Sequence, residues 1–279
     1  MHTNTPSRQV AVLVPAWKSA DFIQDTLNCL SAQTYDNLRV FVSVDLCDDA
    51  TYAVCLAHAR QDARFQVVQQ TQRLGYVGNC NFLLGQSEAD YALFAFHDDI
   101  LAPDYIALLA NALDRRPEAV MAFTDVQLTD VDGRQEHWVF NELEGVGDRV
   151  QRAFTMLRGD NMWWVPNRGL FRLDAVREIN GLKTHGAGEF SADWPWLFHM
   201  SLLGEFVRVP QTLCFKYYKS GSLSRSWEFS RRQFFEVRAA CMRELWTSRL
   251  TTEEKLRITG PLANAMIQNA PKPEPTPAA

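Results

Sequence analysis

The chain has 279 residues, and 28 Lys and Arg against 33 Asp and Glu give it a formal net charge of −5. Its 47% hydrophobic and 22% charged residues are typical of a globular protein and exclude a disordered or fibrous one. The mild acidity argues against a nucleic-acid partner, because nucleic-acid binders usually carry a basic face. The apolar runs have the length of strands, and none approaches the roughly 18 residues of a membrane span.

The beginning of the chain and its cysteines predict the compartment. Residues 1–9 are polar and lack the apolar region of a secretory signal. The six cysteines are scattered through apolar surroundings, without the spacing of a metal site. We therefore expect reduced thiols and a cytoplasmic protein.

Strand and helix patterns alternate in the first half of the chain. This alternation implies a parallel sheet covered by helices on both faces, whose ligands bind beyond the carboxyl ends of the strands. The residues that follow Val14, Val44 and Phe96 are therefore the first candidates for a site. The predicted strands are Arg8–Val14, Leu38–Val44, Phe65–Gln69, Tyr91–Phe96 and Val120–Thr124, and helices are predicted to begin near Ser19, Asp48, Gly78 and Pro103.

The second half has a different pattern. A turn over residues 131–134 predicts a hairpin between Gln127–Asp130 and Gln135–Phe140. A helix is predicted from about Asp193 to Leu203, with short strands near residues 206–209 and 213–217. Residues 227–250 have the pattern of one amphipathic helix, and the Pro/Ala-rich end from Pro271 to Ala279 is predicted to be disordered.

Four motifs occur in one order along the chain. They are an opening motif in three pieces, VLVPAW at 12–17, LSAQTY at 30–35 and VSVD at 42–45, then FAFHDDILAPDY at 94–105, SADW at 191–194 and GSLS at 221–224. Together they resemble the family 2 glycosyltransferases of the GT-A fold, from about Val10 to Arg225. The resemblance implies an α/β fold with a mostly parallel, Rossmann-like sheet flanked by helices, followed by a C-terminal helical extension.

The resemblance also implies an activity and a domain division. The activity is inverting transfer of a sugar from a UDP- or dTDP-sugar to a hydroxyl of a glycan, a lipid-linked or a small-molecule acceptor. The glycosyltransferase domain would span 1–225, with a nucleotide-sugar half at about 8–125 and an acceptor half at about 126–225. A helical extension over 226–266 and a disordered tail over 267–279 would follow.

Asp45 is the first candidate for nucleotide binding. It lies at the carboxyl end of the second predicted strand, where a carboxylate can accept a hydrogen bond from a nucleobase imide. By resemblance it contacts uracil or thymine, with Pro15, Ala16 and Trp17 forming the base pocket. The alternative is a carboxylate that caps a turn.

The segment from Arg73 to Asn81 is a second nucleotide candidate. It is loosely similar to a family segment that precedes a helix, so Arg73, Asn79 and Asn81 are predicted to lie against the ribose and diphosphate. An ordinary connection from loop to helix explains the same residues.

Asp98 and Asp99 directly follow a buried strand, and hard oxygen ligands of this kind suit Mn²⁺ or Mg²⁺. By resemblance Asp99 binds the metal, and Asp98 contacts the metal, its water or the ribose. The first acid of the family motif is Phe96 here, and His97 is a neighbour rather than a ligand. The alternative is a pair of acids that cap the next helix.

Asp193 is by resemblance the general base that takes the proton of the acceptor hydroxyl. Its partner acid in the family motif is Ala192 here, and Glu189 is the reserve candidate. An N-terminal helix cap is the alternative role for Asp193.

Cationic and aromatic residues complete the candidates. Lys219 lies near the position of a metal-binding His of the family and, like Arg225, can neutralise a leaving diphosphate as a point charge. The predicted stacking surfaces for an acceptor are Trp163, Trp164, Trp194 and Trp196, with polar contacts from Asn167 and Arg168, and burial in the core is the alternative for each tryptophan.

Other functions and partners remain open at this stage. A sugar-phosphate nucleotidyltransferase shares a parallel sheet and acidic metal ligands, and the changes at Phe96 and Ala192 also suit a nucleotide-binding homologue that has lost transfer. The arginine-rich helix over 227–250 could lie on the inner face of a membrane, pair with a second subunit or pack on its own domain.

Overall fold

Strands and helices alternate along the chain, as the hydrophobic pattern predicts. The computed structural model of the protein describes residues 7–219 and 222–270. The strands are β1 (Val10–Ala16), β2 (Leu38–Val44), β3 (Phe65–Gln69), β4 (Tyr91–Phe94), β5 (Asp99–Leu101), β6 (Ala119–Thr129), β7 (Gln135–Trp138), β8 (Leu170–Arg172) and β9 (Glu205–Tyr217). The α-helices are α1 (Ile23–Ser31), α2 (Thr51–Ala59), α3 (Gly75–Leu84), α4 (Tyr105–Asp114), α5 (Arg149–Leu157), α6 (Leu173–Glu178), α7 (Asp193–Leu203), α8 (Arg231–Thr247) and α9 (Thr252–Gln268), and 3₁₀ turns form at Val165–Arg168 and Leu223–Ser226.

The strands form one sheet in the order β3-β2-β1-β4-β8-β6-β9-β5, and β7 pairs with β6 outside this path. Neighbours from β3 to β4 are parallel, whereas β8 is antiparallel to both of its neighbours. The α/β architecture is as predicted. The sheet is parallel from β3 to β4 and between β6 and β9, and it is mixed because β5, β7 and β8 pair antiparallel with their neighbours.

Continuous burial explains the parallel half. Every residue of β1 is buried, since helices cover both faces of the sheet. The core runs without interruption from this strand to the aromatic residues of β4 and α7.

Several predicted boundaries move because local polar contacts decide them. Helix α1 begins at Ile23 without a side-chain cap, although Ser19 was the predicted cap. Helix α2 begins at Thr51, whose backbone N–H donates to the Asp49 carboxylate. The two short strands predicted within 205–217 are one strand, β9, which carries bulges opposite β6. The hairpin between β6 and β7 is observed as predicted.

The C-terminal extension is helical as predicted: α8 lies within the range 227–250 predicted for one helix, and a second helix, α9, follows it. Helices α8 and α9 each begin with a capping box, at Ser230 and at Thr251, in which the cap side chain and the third helical residue bond each other's backbone N–H. Val237, Cys241 and Leu245 of α8 are fully buried, and α8 packs against α7 and α9. Of the alternatives for this helix, the structure supports packing on its own chain.

The remaining sequence predictions concern the cysteines, membrane-spanning helices and the end of the chain. All six cysteines are free, and four of them are buried. In the residues that the structure describes, no helix is both long and apolar enough to cross a membrane. The predicted disorder of residues 271–279 and Gly221 of the closing motif lie outside the described residues.

A buried charge cluster joins α8 to α7. The Glu244 carboxylate accepts hydrogen bonds from His199 Nδ1 at 2.6 Å and from Lys183 Nζ at 2.9 Å. Burial raises the pKa of Glu244, but these two donors outweigh it and hold the pKa below the usual value of 4.5. A lowered pKa stabilises the fold above that value and loses its contribution as the pH falls.

Glu244→Gln is therefore expected to lower the free energy of unfolding at neutral pH by about 3 kcal/mol, because it leaves the buried His199 and the half-exposed Lys183 without their charged acceptor. Below about pH 4 the difference from the wild type should shrink, since the wild-type carboxylate is then protonated too. Urea unfolding across pH measures both effects. Glu253→Gln, an exposed position on α9, is the control, and equal stability of Glu244→Gln and this control at pH 7 would contradict the assignment.

Candidate active site

Three loops meet where parallel strands end. The backbone N–H of Asp45, after β2, donates to the carbonyl of Ala16 at the end of β1, at 2.9 Å. His97, in the loop after β4, lies with Nδ1 3.1 Å from the carbonyl of Pro15. The candidates after β1, β2 and β4 are therefore joined at one edge of the sheet, as the topology predicts.

The Asp45 carboxylate is already saturated by its own chain. It is 1% exposed. Oδ1 accepts from the backbone N–H groups of Leu46 and Leu74, and Oδ2 accepts from that of Gly75 and from Arg73 Nη1 at 2.5 Å. Four bonds fill the acceptor sites of a carboxylate. This arrangement matches the alternative role of a turn cap and leaves no site for a base imide.

The exposed surface at this place is a stack of Trp17 and Arg73. The Arg73 guanidinium lies 3.9 Å from the centre of the Trp17 ring, a cation–π contact. The Arg73 side chain is 45% exposed, whereas the side chain of its ion-pair partner Asp45 is buried. The flat face that a nucleobase can reach is therefore made by Trp17 and Arg73.

Asn79 and Asn81 do not face this surface. Asn79 is 3% exposed and donates to the carbonyl of Ser43 in β2. Asn81 exchanges two hydrogen bonds with the backbone of Leu182. Both asparagines join α3 to neighbouring elements, so of the predicted ribose and diphosphate contacts in this segment only Arg73 is exposed.

The acidic pair lies beside a lysine that sequence analysis missed. Asp99 in β5 is directly opposite Lys216 in the antiparallel ladder with β9, so their side chains share a face. Lys216 Nζ lies 2.8 Å from Asp98 Oδ2 and 3.5 Å from Asp99 Oδ1. Burial alone lowers the pKa of Lys216, but the two carboxylates outweigh it and raise that pKa. Burial raises the pKa of Asp98, and Lys216 brings it below its usual value.

A second cation, Arg168, holds Asp99 from the other side. Its Nε lies 2.8 Å from Asp99 Oδ2, as an ion pair that is not aligned for a hydrogen bond. The 3₁₀ turn that carries Arg168 is anchored by Tyr105, whose hydroxyl donates to the Arg168 carbonyl at 2.6 Å. The next residue must be glycine, because a Cβ on Gly169 would lie 2.5 Å from the carbonyl oxygen of Ala122.

The acidic pair does not fit the predicted Mn²⁺ or Mg²⁺. Asp99, the preferred ligand, is 2% exposed and has a cation on each oxygen, and Asp98 carries Lys216. A divalent ion here would lie beside two positive side chains, at a cost of about 4 kcal/mol for each unit-charge pair 4 Å apart near a protein surface. Among the described residues, no group of three or more His, Cys, Asp or Glu is placed to hold a metal.

An open cleft of about 500 Å³ adjoins Asp98. Its lining includes Phe22 and Asp25 near the start of α1, His97, Asp98 and Lys219. Lys219 Nζ lies over the rings of Phe22 and Tyr217, at 5.2 and 5.7 Å from their centres. Within the described part of the chain Lys219 forms no ion pair, so its charge is available to a ligand in the cleft. A second cavity, of about 330 Å³, is lined by none of the predicted site residues.

Asp193 begins helix α7 and is held by the turn that carries Arg168. Asn167 Nδ2 donates to Asp193 Oδ2 at 3.0 Å. Burial raises the pKa of Asp193 to about 6, and Arg168 is close enough to oppose that rise. A carboxylate with this pKa is ionised at neutral pH and able to take a proton. The N-cap of α7 is Ala192, and backbone N–H groups of the first turn, those of Asp193 and Trp194, also lower the pKa of the Asp193 carboxyl.

Glu189, the reserve candidate, has another role. Its two carboxylate oxygens accept from the backbone N–H groups of Tyr76 and Val77, at 3.1 and 2.8 Å, and so cap α3. Gly75 allows this approach because a Cβ there would lie 2.6 Å from Glu189 Oε1. Glu189 is thus a structural cap rather than a free base.

The tryptophans divide into core and surface. Trp163 and Trp194 stack on each other with ring centres 4.4 Å apart and are 7% and 1% exposed, so neither can stack on an acceptor as predicted. Trp196 is buried as well, against Phe94. Only Trp164 keeps a partly exposed ring.

Arg225 is committed to an ion pair instead of a free cationic role. Its guanidinium contacts the Asp130 carboxylate at the β6–β7 turn and lies 4.7 Å from the centre of the Tyr218 ring. It therefore connects the segment after β9 to the hairpin, and the structure does not support the predicted contact with a diphosphate.

The missed residues had signals in the sequence. Lys216 is the single charge within the short strand predicted at residues 213–217, which indicates a buried partner. Arg168 and Asn167 were noted as polar contacts, but nothing in their spacing predicts that one pairs with Asp99 and the other with Asp193.

Asp45→Ala is expected to lower the free energy of unfolding by about 3 kcal/mol, because it leaves buried backbone N–H groups without an acceptor. Arg73→Ala removes only the exposed partner, so it should change stability by less than about 1 kcal/mol. Urea unfolding of the two variants checks this. An Asp45→Ala protein that is as stable as Arg73→Ala would restore Asp45 as a residue that faces the ligand.

Comparison with known proteins gives the family. Residues 11–172, more than half of the chain, match the family model described as Glycosyl transferase family 2. Glycosyltransferase GlyG of Streptococcus pneumoniae is 22% identical over 174 residues, which cover 62% of this chain and 57% of that protein. The chain spans less than two thirds of the length of the curated relatives that it matches, from 57% of GlyG to 13% of another relative.

Solved structures of low sequence identity share the fold. TarS 1-349 of S. aureus in complex with UDP-GlcNAc superposes with a TM-score of 0.71 and 17% identity, covering 93% of this chain and 73% of that chain. The mannosyltransferase PcManGT of Pyrobaculum calidifontis, in complex with GDP-Man and Mn²⁺, gives 0.63 and 15%, covering 95% and 74%. The predicted GT-A fold is thereby confirmed. The motifs, the sheet and the family match lead to one conclusion: the chain belongs to glycosyl transferase family 2.

Proposed function

We propose that this protein transfers a sugar, with inversion, from a UDP- or dTDP-sugar to a hydroxyl of a glycan, a lipid-linked or a small-molecule acceptor. The observation that carries the proposal is Asp193, a half-buried carboxylate with a pKa of about 6, held beside the same buried cation as the acidic pair. The proposed base would then lie beside the acidic pair and its two cations, at one edge of the sheet.

The nucleotide half, about 8–125, would bind the donor. The nucleobase would lie on the Trp17 ring, against Arg73, with Pro15 and Ala16 as the floor of the pocket. The structure of TarS 1-349 is a complex with UDP-GlcNAc, and that of PcManGT is a complex with GDP-Man. These ligands support a nucleoside diphosphate sugar as the donor class. The diphosphate would extend toward the cleft beside Asp98, where Lys219 offers positive charge.

The acceptor half, about 126–225, would supply the base and the acceptor surface. The acceptor hydroxyl gives its proton to an Asp193 carboxylate oxygen as its own oxygen forms a bond to the anomeric carbon. The bond from that carbon to the diphosphate breaks on the opposite face, and its electron pair leaves with the diphosphate. Trp164 is the aromatic residue placed to contact an acceptor.

Asp193→Asn keeps the shape of the side chain but cannot take a proton. Transfer should fall by about 10²-fold or more, within the usual range for a general base, while donor affinity stays close to wild type. Asp174→Asn, also in the first turn of a helix, is the matched control. Near-normal turnover of Asp193→Asn would assign the base elsewhere, and a lowered melting temperature in that variant alone would favour a structural role.

The pH profile tests the same residue without a mutation. Since the base must be ionised, kcat/KM should rise with pH through about 6 and level off above it. In Asp193→Asn the residual activity should lack this step. A wild-type profile that is flat between pH 5 and 7 would contradict Asp193 as the base.

The donor can be identified by thermal shift with UDP-, dTDP- and GDP-sugars, because a ligand of the native state raises its melting temperature. We expect a uridine or thymidine donor to give the largest shift and Trp17→Ala to abolish it. Hydrolysis of the bound donor then separates a transferase from a homologue that only binds, which would give the shift without turnover.

A further inference from the structure

Four charged side chains form a closed, neutral cluster at the edge of the site. Asp98 and Asp99 carry two negative charges, and Lys216 and Arg168 carry two positive ones. Both cations have at most 10% of their side chains exposed. The side chains of Lys216 and Arg168 therefore supply the positive charge that a divalent ion would bring to an acidic pair.

The fold holds both cations in place. Lys216 is opposite Asp99 in the ladder of β5 and β9, so the strand register sets their distance. The Tyr105 hydroxyl donates a hydrogen bond to the Arg168 carbonyl, and the next residue, Gly169, lies close to the backbone of β6. These two contacts fix the position of Arg168. Withdrawal of Lys216 would leave Asp98 buried without its cation, which costs several kcal/mol, and withdrawal of Arg168 would leave Asp99 with Lys216 alone.

We infer that donor binding and transfer by this chain need no divalent cation, because Lys216 and Arg168 occupy the place of the metal. The inference rests on the proposed function for its nucleotide ligand. The departing diphosphate would then be neutralised by Lys219, whose charge is unpaired within the described residues. The bonds made and broken are those of the transfer above, with the electron pair leaving on the diphosphate oxygen.

The test uses calorimetry of UDP, dTDP and GDP binding to the full chain, once with excess EDTA and once with Mn²⁺. The nucleotide that binds should do so with an affinity that differs by less than about threefold between the two conditions. A loss of more than about tenfold in EDTA, restored by Mn²⁺, would overturn the inference.

A second measurement needs no nucleotide. The electron paramagnetic resonance signal of free Mn²⁺ should be unchanged by the wild-type protein and decrease with Lys216→Met, which frees Asp98 and Oδ1 of Asp99, while Arg168 keeps Oδ2 of Asp99. Lys216→Arg, which keeps the charge, and Lys255→Met on α9 should both behave as wild type. Mn²⁺ bound by the wild type, or not bound by a folded Lys216→Met protein, contradicts the inference.

The calorimetry and the resonance measurement together distinguish a failure of this inference from a failure of the proposed function. If no nucleotide binds in either condition, the proposed function fails, and the resonance signal still decides whether the cluster excludes the metal. If Lys216→Met does not fold, as its melting curve would show, the wild-type measurements decide alone.

Discussion

The buried contact between Arg168 and Asp99 connects both halves of this site. Asp99 begins β5, next to the nucleotide-side loop, and Arg168 ends the turn whose Asn167 holds Asp193. Moving this ion pair would displace the acidic pair and the candidate base together. Because a buried charge without its partner is costly, an arrangement that separated the two side chains would be strongly disfavoured.

A second constraint comes from carboxylates that bind backbone instead of ligand. Asp45 holds the N–H groups that precede α3, and Glu189 holds the next two, so the beginning of one helix is anchored from β2 and from the loop before α7. Acidic residues that appear free in a sequence thus act as caps. The residues that they leave at the surface are Trp17 and Arg73 on one side and the half-buried Asp193 on the other, to which the proposed function assigns the donor and the acceptor.

The fold was predictable from the sequence to a large extent, and the site only in its location. Continuous apolar strands separated by helical patterns predicted the α/β class and the edge at which Asp45 and Asp98 would lie, because period and chain order are local properties. The helix starts predicted near Ser19 and Trp227 precede the observed starts at Ile23 and Arg231, since apolar spacing marks the buried face of a helix and not the residue at which its hydrogen bonds begin.

By itself the sequence determined the family, through four motifs in order, and the types of residue at the site. The tertiary structure decided which of these residues remain available to a ligand. Lys216 and Asp98 are 118 residues apart, and they meet only because β9 pairs antiparallel with β5 in one register. A motif specifies that carboxylates are present, but their charge is set by the neighbours that the sheet brings to them, and no local pattern contains that information.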